Sequence, residues 1–224
     1  MDGREKLVLA ASSNQKVMEF RSAIRTIYGK DFGDVPIYGG WGHSQADAVI
    51  IDKYDPIVDI SLSFNGIGLE YALLQHRNWI ELIAMLPREE QYDEIEFGVL
   101  EQKTVADGNA LYDYIKYEIT CFRHLDYLEL KREWVDNKDS PDFDLQKHLE
   151  KRLALKKYLV KEIWFEISSF YGEDIFYVWN PESDIFFHRR DGSTCPLKID
   201  PMNAAVSLFR AHMRKMEQEL CSQR

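Results

Sequence analysis

Two runs of alternating residues meet at Asn65-Gly66. Val58, Ile60, Leu62 and Phe64 alternate with Asp59, Ser61 and Ser63 before the pair, and Ile67, Leu69, Tyr71 and Leu73 alternate with other residues after it. A two-residue period puts every second side chain on one face of a strand. Asn-Gly supplies two residues that tolerate positive φ, as a tight turn requires. The pattern predicts a β-hairpin over 58–73, with a wet face because Asp59, Ser61 and Ser63 share a side. That inference narrows the fold. A half-exposed antiparallel sheet needs an apolar layer over its other face, and the rest of the chain must supply it.

Residues 6–11 (KLVLAA) read as a short buried strand. Ser13 or Asn14 then caps a helix carrying Val17, Phe20, Ile24 and Ile27 on one stripe, with Gly29 as its stop. Segments 35–38 and 46–52 read as strands flanking Gly39-Gly40-Trp41-Gly42. Asn78 reads as the cap of a short helix over 79–86, and 94–100 as a further strand. From Asp107 the spacing of Leu111, Ile115, Phe122 and Leu125 predicts a helix reaching Trp134. Ser140-Pro141 then reads as cap and first turn of a second helix running to Tyr171, with Leu145, Leu149, Leu155, Leu159, Ile163, Ile167 and Phe170 inward. In the tail, 175–179 and 185–188 read as a hairpin, Asp191-Gly192 as a turn, and Met202, Val206, Phe209, Met213, Met216 and Leu220 as the apolar stripe of a last helix. The predicted class is α+β: an antiparallel sheet built from hairpins packed with helices, plus a long antiparallel helical hairpin. It forms one domain over 1–224 with a helical insertion at about 107–172, two separate domains being the alternative.

Charge is distributed unevenly. Residues 31–100 hold three Lys/Arg (Lys53, Arg77, Arg88) against thirteen Asp/Glu, a net −10 that equals the charge of the whole chain. An acidic block repels phosphate backbones, which speaks against nucleic acid and for a basic protein partner. The basic residues of 147–161 circle their predicted helix and are interrupted by Glu150, so they form no nucleic-acid stripe. No apolar stretch approaches the length of a membrane span. Cys121, Cys195 and Cys221 are widely spaced, with no CxxC pair, so neither a disulfide framework nor a zinc site is expected, and a cytoplasmic location fits best.

Motifs for catalysis are sparse. The six histidines show no HxxxH or HExxH spacing, and no phosphate loop or GxSxG elbow occurs. Cys121 reads as an inert core thiol. The acids Asp47, Asp52, Asp55 and Asp59, with Glu70 following, are the densest group. Two to four convergent carboxylates are what a hydrolytic divalent cation needs, but a turn and an exposed strand face account for them more simply. His43 follows the flexible Gly39-Gly40-Trp41-Gly42 segment, where Trp41 can serve as a buried anchor.

Residues 7–20 (LVLAASSNQKVMEF) resemble the opening strand, Asn/Lys loop and helix of the inosine triphosphatase-like nucleotide pyrophosphatases. The resemblance implies phosphate contacts at Ser13, Asn14 and Lys16. The lysine follows the asparagine by two positions here and by three in that family, and the acidic motif of the family is absent. The leading expectation is a non-enzymatic binding protein, similar in style to bacterial immunity or antitoxin proteins. Its acidic face would dock a basic protein through Trp41, His43, Asp47, Asp52, Asp55, Asp59 and Glu70, with no cofactor or metal. The alternative is a metal-dependent nucleotide hydrolase using the same acids for Mg²⁺. A homodimer through the C-terminal helix is a further expectation.

Overall fold

A computed structural model describes residues 19–28, 34–172 and 185–196. Its centre is a five-stranded sheet in the order β1-β2-β5-β4-β3. β1 (Ile37–Gly39) pairs antiparallel with β2 (Val49–Ile51), and β2 runs parallel to β5 (Lys157–Glu166). β5 pairs antiparallel with β4 (Ala110–Arg123), and β4 with β3 (Tyr92–Asp107). The fold is α+β, but the sheet is mixed, with one parallel step where an antiparallel sheet was expected. β6 (Ile185–His188) and β7 (Thr194–Pro196) form a separate two-stranded ladder across the Asp191-Gly192 turn. It meets the region of the expected first hairpin through a bridge between Val58 and Arg189.

Four α-helices are described. α1 (Phe20–Tyr28) buries Phe20, Ala23 and Ile24, along the stripe the sequence predicted. α2 (Gly66–Trp79) lies on the inner face of the sheet and continues into a wide π turn, Ile80–Ala84. α3 (His124–Asn137) and α4 (Leu145–Leu155) are inserted between β4 and β5. The core joins Leu69, Leu73 and Leu74 of α2 to Ile115, Tyr117, Ile119 and Cys121 of β4, Ile163 and Phe165 of β5, and Val49 and Ile51 of β2.

The Asn65-Gly66 hairpin does not form. The Asn65 side chain accepts the Gly68 N–H at 2.8 Å and so caps α2. Residues 66–79 are buried almost all round, and an element with no wet face shows alternation without being a strand. Asn78 is likewise no cap: it lies inside α2 and accepts the Tyr117 hydroxyl at 3.0 Å.

The long helical hairpin over 107–172 is also not formed. Its outer portions are the strands β4 and β5, and only α3 and α4 between them are helical. Gly108-Asn109 closes the β3–β4 hairpin, with Asp107 paired to Ala110 and Gly108 at φ 60. The α4 cap is Asp144, whose carboxylate accepts the Lys147 N–H at 3.0 Å, rather than Ser140. The expected strands at 6–11 and 175–179, the phosphate-facing Ser13, Asn14 and Lys16, and the C-terminal helix lie outside the described residues.

Candidate functional site

The segment between β1 and β2 is shaped by Asp47. Its carboxylate accepts the backbone N–H groups of Trp41 at 3.2 Å and His43 at 3.3 Å. A side chain on Gly40 would meet Asp47 Oδ1 at 1.8 Å, so this close approach needs glycine. Gly42, at φ 75, lays its carbonyl against β5, where it accepts the Trp164 N–H at 3.0 Å. Trp41 is buried, with its ring 4.8 Å from that of Phe20.

His43 leads to an ion cluster. Its Nδ1 lies 2.5 Å from Arg77 Nη2, so in the neutral ring Nδ1 accepts from the guanidinium. Burial, and then the Arg77 charge, hold the His43 pKa below its usual value. Arg77 Nε donates to Glu81 Oε1 at 2.8 Å, and Lys161 Nζ to Glu81 Oε2 at 2.5 Å. Arg77 Nη1 also donates to the Glu162 carbonyl at 3.0 Å. Burial raises the Glu81 pKa, but the two cations and their hydrogen bonds outweigh it and hold the group down at about 2. Both carboxylate oxygens of Glu81 are taken by cations, and Arg77 also reaches His43 and the Glu162 carbonyl, so the cluster reads as a structural lock between α2, β5 and the 39–43 segment.

The remaining candidate residues are dispersed. Asp55 is 2 % exposed; it accepts the Tyr38 hydroxyl and lies 3.2 Å from Arg21 Nη1. Glu70 is 1 % exposed and faces Asp113, and burial followed by the Asp113 charge pushes its pKa up to about 10. Neither offers a carboxylate to a partner. Asp52 accepts the Tyr54 N–H at 2.9 Å, and Asp59 the Ser61 N–H at 3.0 Å; both close local turns. Among the described residues no group of three or more His, Cys, Asp or Glu is placed to hold a metal ion. The described acids of 34–100 therefore share no single outward face. Asp34, Asp55, Glu81, Asp93 and Glu94 are drawn to Arg25, Arg21, Arg77 with Lys161, His124 and Arg152.

A concentrated charge does occur elsewhere. The pairing registers put Glu96, Glu101, Glu118, Glu162 and Glu166 on the outer side of β3, β4 and β5, away from α2. Lys103 and Lys116 are the cations among them, and Tyr112, Tyr114, Tyr158, Val160 and Trp164 lie between. Lys103 sits 4.7 Å over the Tyr114 ring and 2.9 Å from Glu101. Tyr114 donates to Glu162 at 2.9 Å, and its ring lies 4.9 Å from that of Trp164. At the far end α3 and α4 cover this side, with Arg152 5.0 Å over the buried Phe122. Beyond them the face is open: Tyr158 is 58 % and Val160 57 % exposed.

Sequence reasoning missed these residues because 157–166 was assigned to a helix. Leu155, Leu159, Ile163 and Ile167 recur every four residues, which fits a helix stripe, and with 159, 163 and 167 all odd it also fits one strand face. The signal that separates the two is content. Tyr158, Val160, Ile163, Trp164 and Phe165 are β-branched or aromatic. No family model matches the chain, and neither the curated proteins nor the solved structures contain a match.

Among the described residues no helix is long and apolar enough to cross a membrane.

Proposed function

We propose that this protein is a non-enzymatic docking module that receives a basic protein partner on the outer face of its sheet. The observation that carries the reading is the open face described above: Glu96, Glu101, Glu118, Glu162 and Glu166 outnumber Lys103 and Lys116, with exposed Tyr158 and Val160 among them. Aromatic and aliphatic side chains supply contact area, and the surrounding acids select the sign of the partner. The immunity or antitoxin class is the form this reading takes when the partner is a basic toxin. Trp41 and Asp47 then act indirectly, by fixing the segment that borders β5.

The test is a comparison of captures from an extract of the source cell. The native chain is set against the triple variant Glu101→Lys, Glu118→Lys, Glu162→Lys, at low and at high salt. The expected result is a basic protein held by the native chain at low salt, and lost both in the variant and at high salt. Charge attraction across such a face speeds association by about 10- to 1,000-fold and is screened over roughly 8 Å at physiological ionic strength. Capture that is indifferent to all three substitutions overturns the reading.

A further inference from the structure

Resting on that docking reading, we propose that the partner's basic segment enters as an added β-strand beside β5, pairing with the outward backbone groups of Tyr158, Val160 and Glu162. β5 is matched over ten residues to β4, from Tyr112↔Glu166 to Cys121↔Lys157. On its other side β2 matches only Phe165 and Glu166. Backbone groups of successive strand residues point to opposite edges. Ile167 N donates to Leu111 O at 2.8 Å, so odd-numbered residues face β4. Trp164 N donates to Gly42 O at 3.0 Å, so even-numbered residues face the other way. Along that second edge the Glu162 carbonyl is taken by Arg77. Among the described residues, the N–H groups of Tyr158, Val160 and Glu162 and the carbonyls of Tyr158 and Val160 have no hydrogen-bond partner.

The notch has ends and a regular template. Gly42 already behaves as the first residue of an added strand at Trp164, and α4 ends at Leu155, just before β5 begins. Between them an extended segment of about five residues fits, at roughly 3.3 Å per residue. The outer edge of β3 is longer, but register shifts between Asp93 and Glu96 and between Val99 and Glu101 break its ladder, whereas the β5 register has none. Bulges are a common means of keeping an edge unpaired. Strand addition draws affinity from main-chain bonds and specificity from alternate side chains. On the outer side the newcomer meets Tyr158, Val160 and Glu162, with Glu118 directly across from Val160. On the inner side it meets Leu159 and a Lys161 already held by Glu81. The segment that suits this edge carries cationic residues outward and apolar residues inward.

The test follows backbone amide exchange in the ¹⁵N-labelled full chain. The probes are an alternating Lys-Val peptide and its two alternately N-methylated forms. In the free protein the amides of Tyr158, Val160 and Glu162 should exchange fast and those of Leu159, Lys161 and Ile163 slowly. With the peptide the first three should slow about tenfold or more. Only the N-methylated form blocked on the pairing edge should fail to produce this. Val160→Pro removes an outward N–H and no bond to β4. It should abolish the peptide effect while leaving the odd-numbered amides protected. Four outcomes overturn the proposal. Amides 158, 160 and 162 already slow in the free chain mean that the edge is covered. Peptide binding without their protection leaves the acidic face standing and removes the strand. Protection that grows with protein concentration alone makes a second copy of this chain the occupant. No binding by the peptide at low salt removes both the strand and the docking reading.

Discussion

Glu70 and Glu81 stand at opposite ends of one helical segment, both buried, and their surroundings drive them in opposite directions. At the start of α2, Glu70 faces Asp113, which itself accepts from Gln102 at 2.5 Å. One Glu70 oxygen has no partner among the described residues. Keeping its proton is the less costly state there, since a second buried charge beside Asp113 would be uncompensated. Beyond the end of α2, Glu81 is also buried but meets Arg77 and Lys161, and it stays ionised. Burial alone therefore fixes neither charge nor role. A buried carboxyl joins two elements as an ion lock only where cations converge on it, and otherwise it behaves as a neutral hydrogen-bonding group.

The largest expected effect comes from removing the anion of the lock. Glu81→Gln leaves Arg77 and Lys161 without a counter-charge and should cost about 3–5 kcal/mol in chemical denaturation. Adding Arg77→Met should recover part of that loss. A cost under about 1 kcal/mol would place the pair with solvent-exposed bridges and remove the contrast with Glu70. Because the folded pKa of Glu81 lies near 2, below the unfolded 4.5, its contribution is complete above pH 4.5 and fades as pH falls toward 2.

Glu70→Gln should act in the opposite sense, stabilising the protein by about 1–2 kcal/mol at pH 8. The folded carboxyl holds its proton to about pH 10, whereas the unfolded one releases it near 4.5. Native stability therefore declines as pH rises through that window, and the variant should flatten this slope in denaturant titrations across pH 5–9. A destabilised variant with an unchanged slope would show that Glu70 is ionised. His43→Ala should be the mildest, within about 0.5 kcal/mol at pH 8, since the half-exposed ring is neutral there. Its lowered pKa means that native stability falls as pH drops below 6.5, and the alanine variant should lose that portion of the acid slope.

The same helix shows how far the fold could be read from sequence. Residues 67–73 alternate and are helical, whereas 111–123 space their apolar residues as a helix would and are a strand. In both places two coverings hid the period. α2 is buried nearly all round, so its apolar residues mark no face. β4 buries Ile115, Tyr117, Ile119 and Cys121 inward, while Tyr112, Tyr114 and Phe122 add aromatic rings on the outer side. The Asp107-Gly108-Asn109 turn was a legible hairpin signal, as strong in kind as Asn65-Gly66. α1, β1, β2, the start of β3 and the Asp191-Gly192 turn were legible because each pairs a clear apolar pattern with a clear stop. For the candidate site, the sequence identified an acidic chain and pointed to the acids of 31–100, but it could not tell which carboxylates are buried and which share a face. Asp55 and Glu70 went inside, and Glu101, Glu118, Glu162 and Glu166 came together from three strands.

By itself the sequence determined an α+β chain with an acidic excess, a buried unreactive Cys121 and tight geometry around Gly40-Trp41-Gly42. These depend on composition and on neighbours within a few residues. Only the tertiary structure decided which carboxylates are neutral, locked or displayed, and which backbone groups of β5 are unpaired among the described residues. Those properties depend on residues 40 to 120 positions apart meeting across a sheet, as Glu70 with Asp113, Lys161 with Glu81, and Ser169 with Ile51 do. Local patterning carries no information about such meetings, because strand order and register are set by the packing of the whole core.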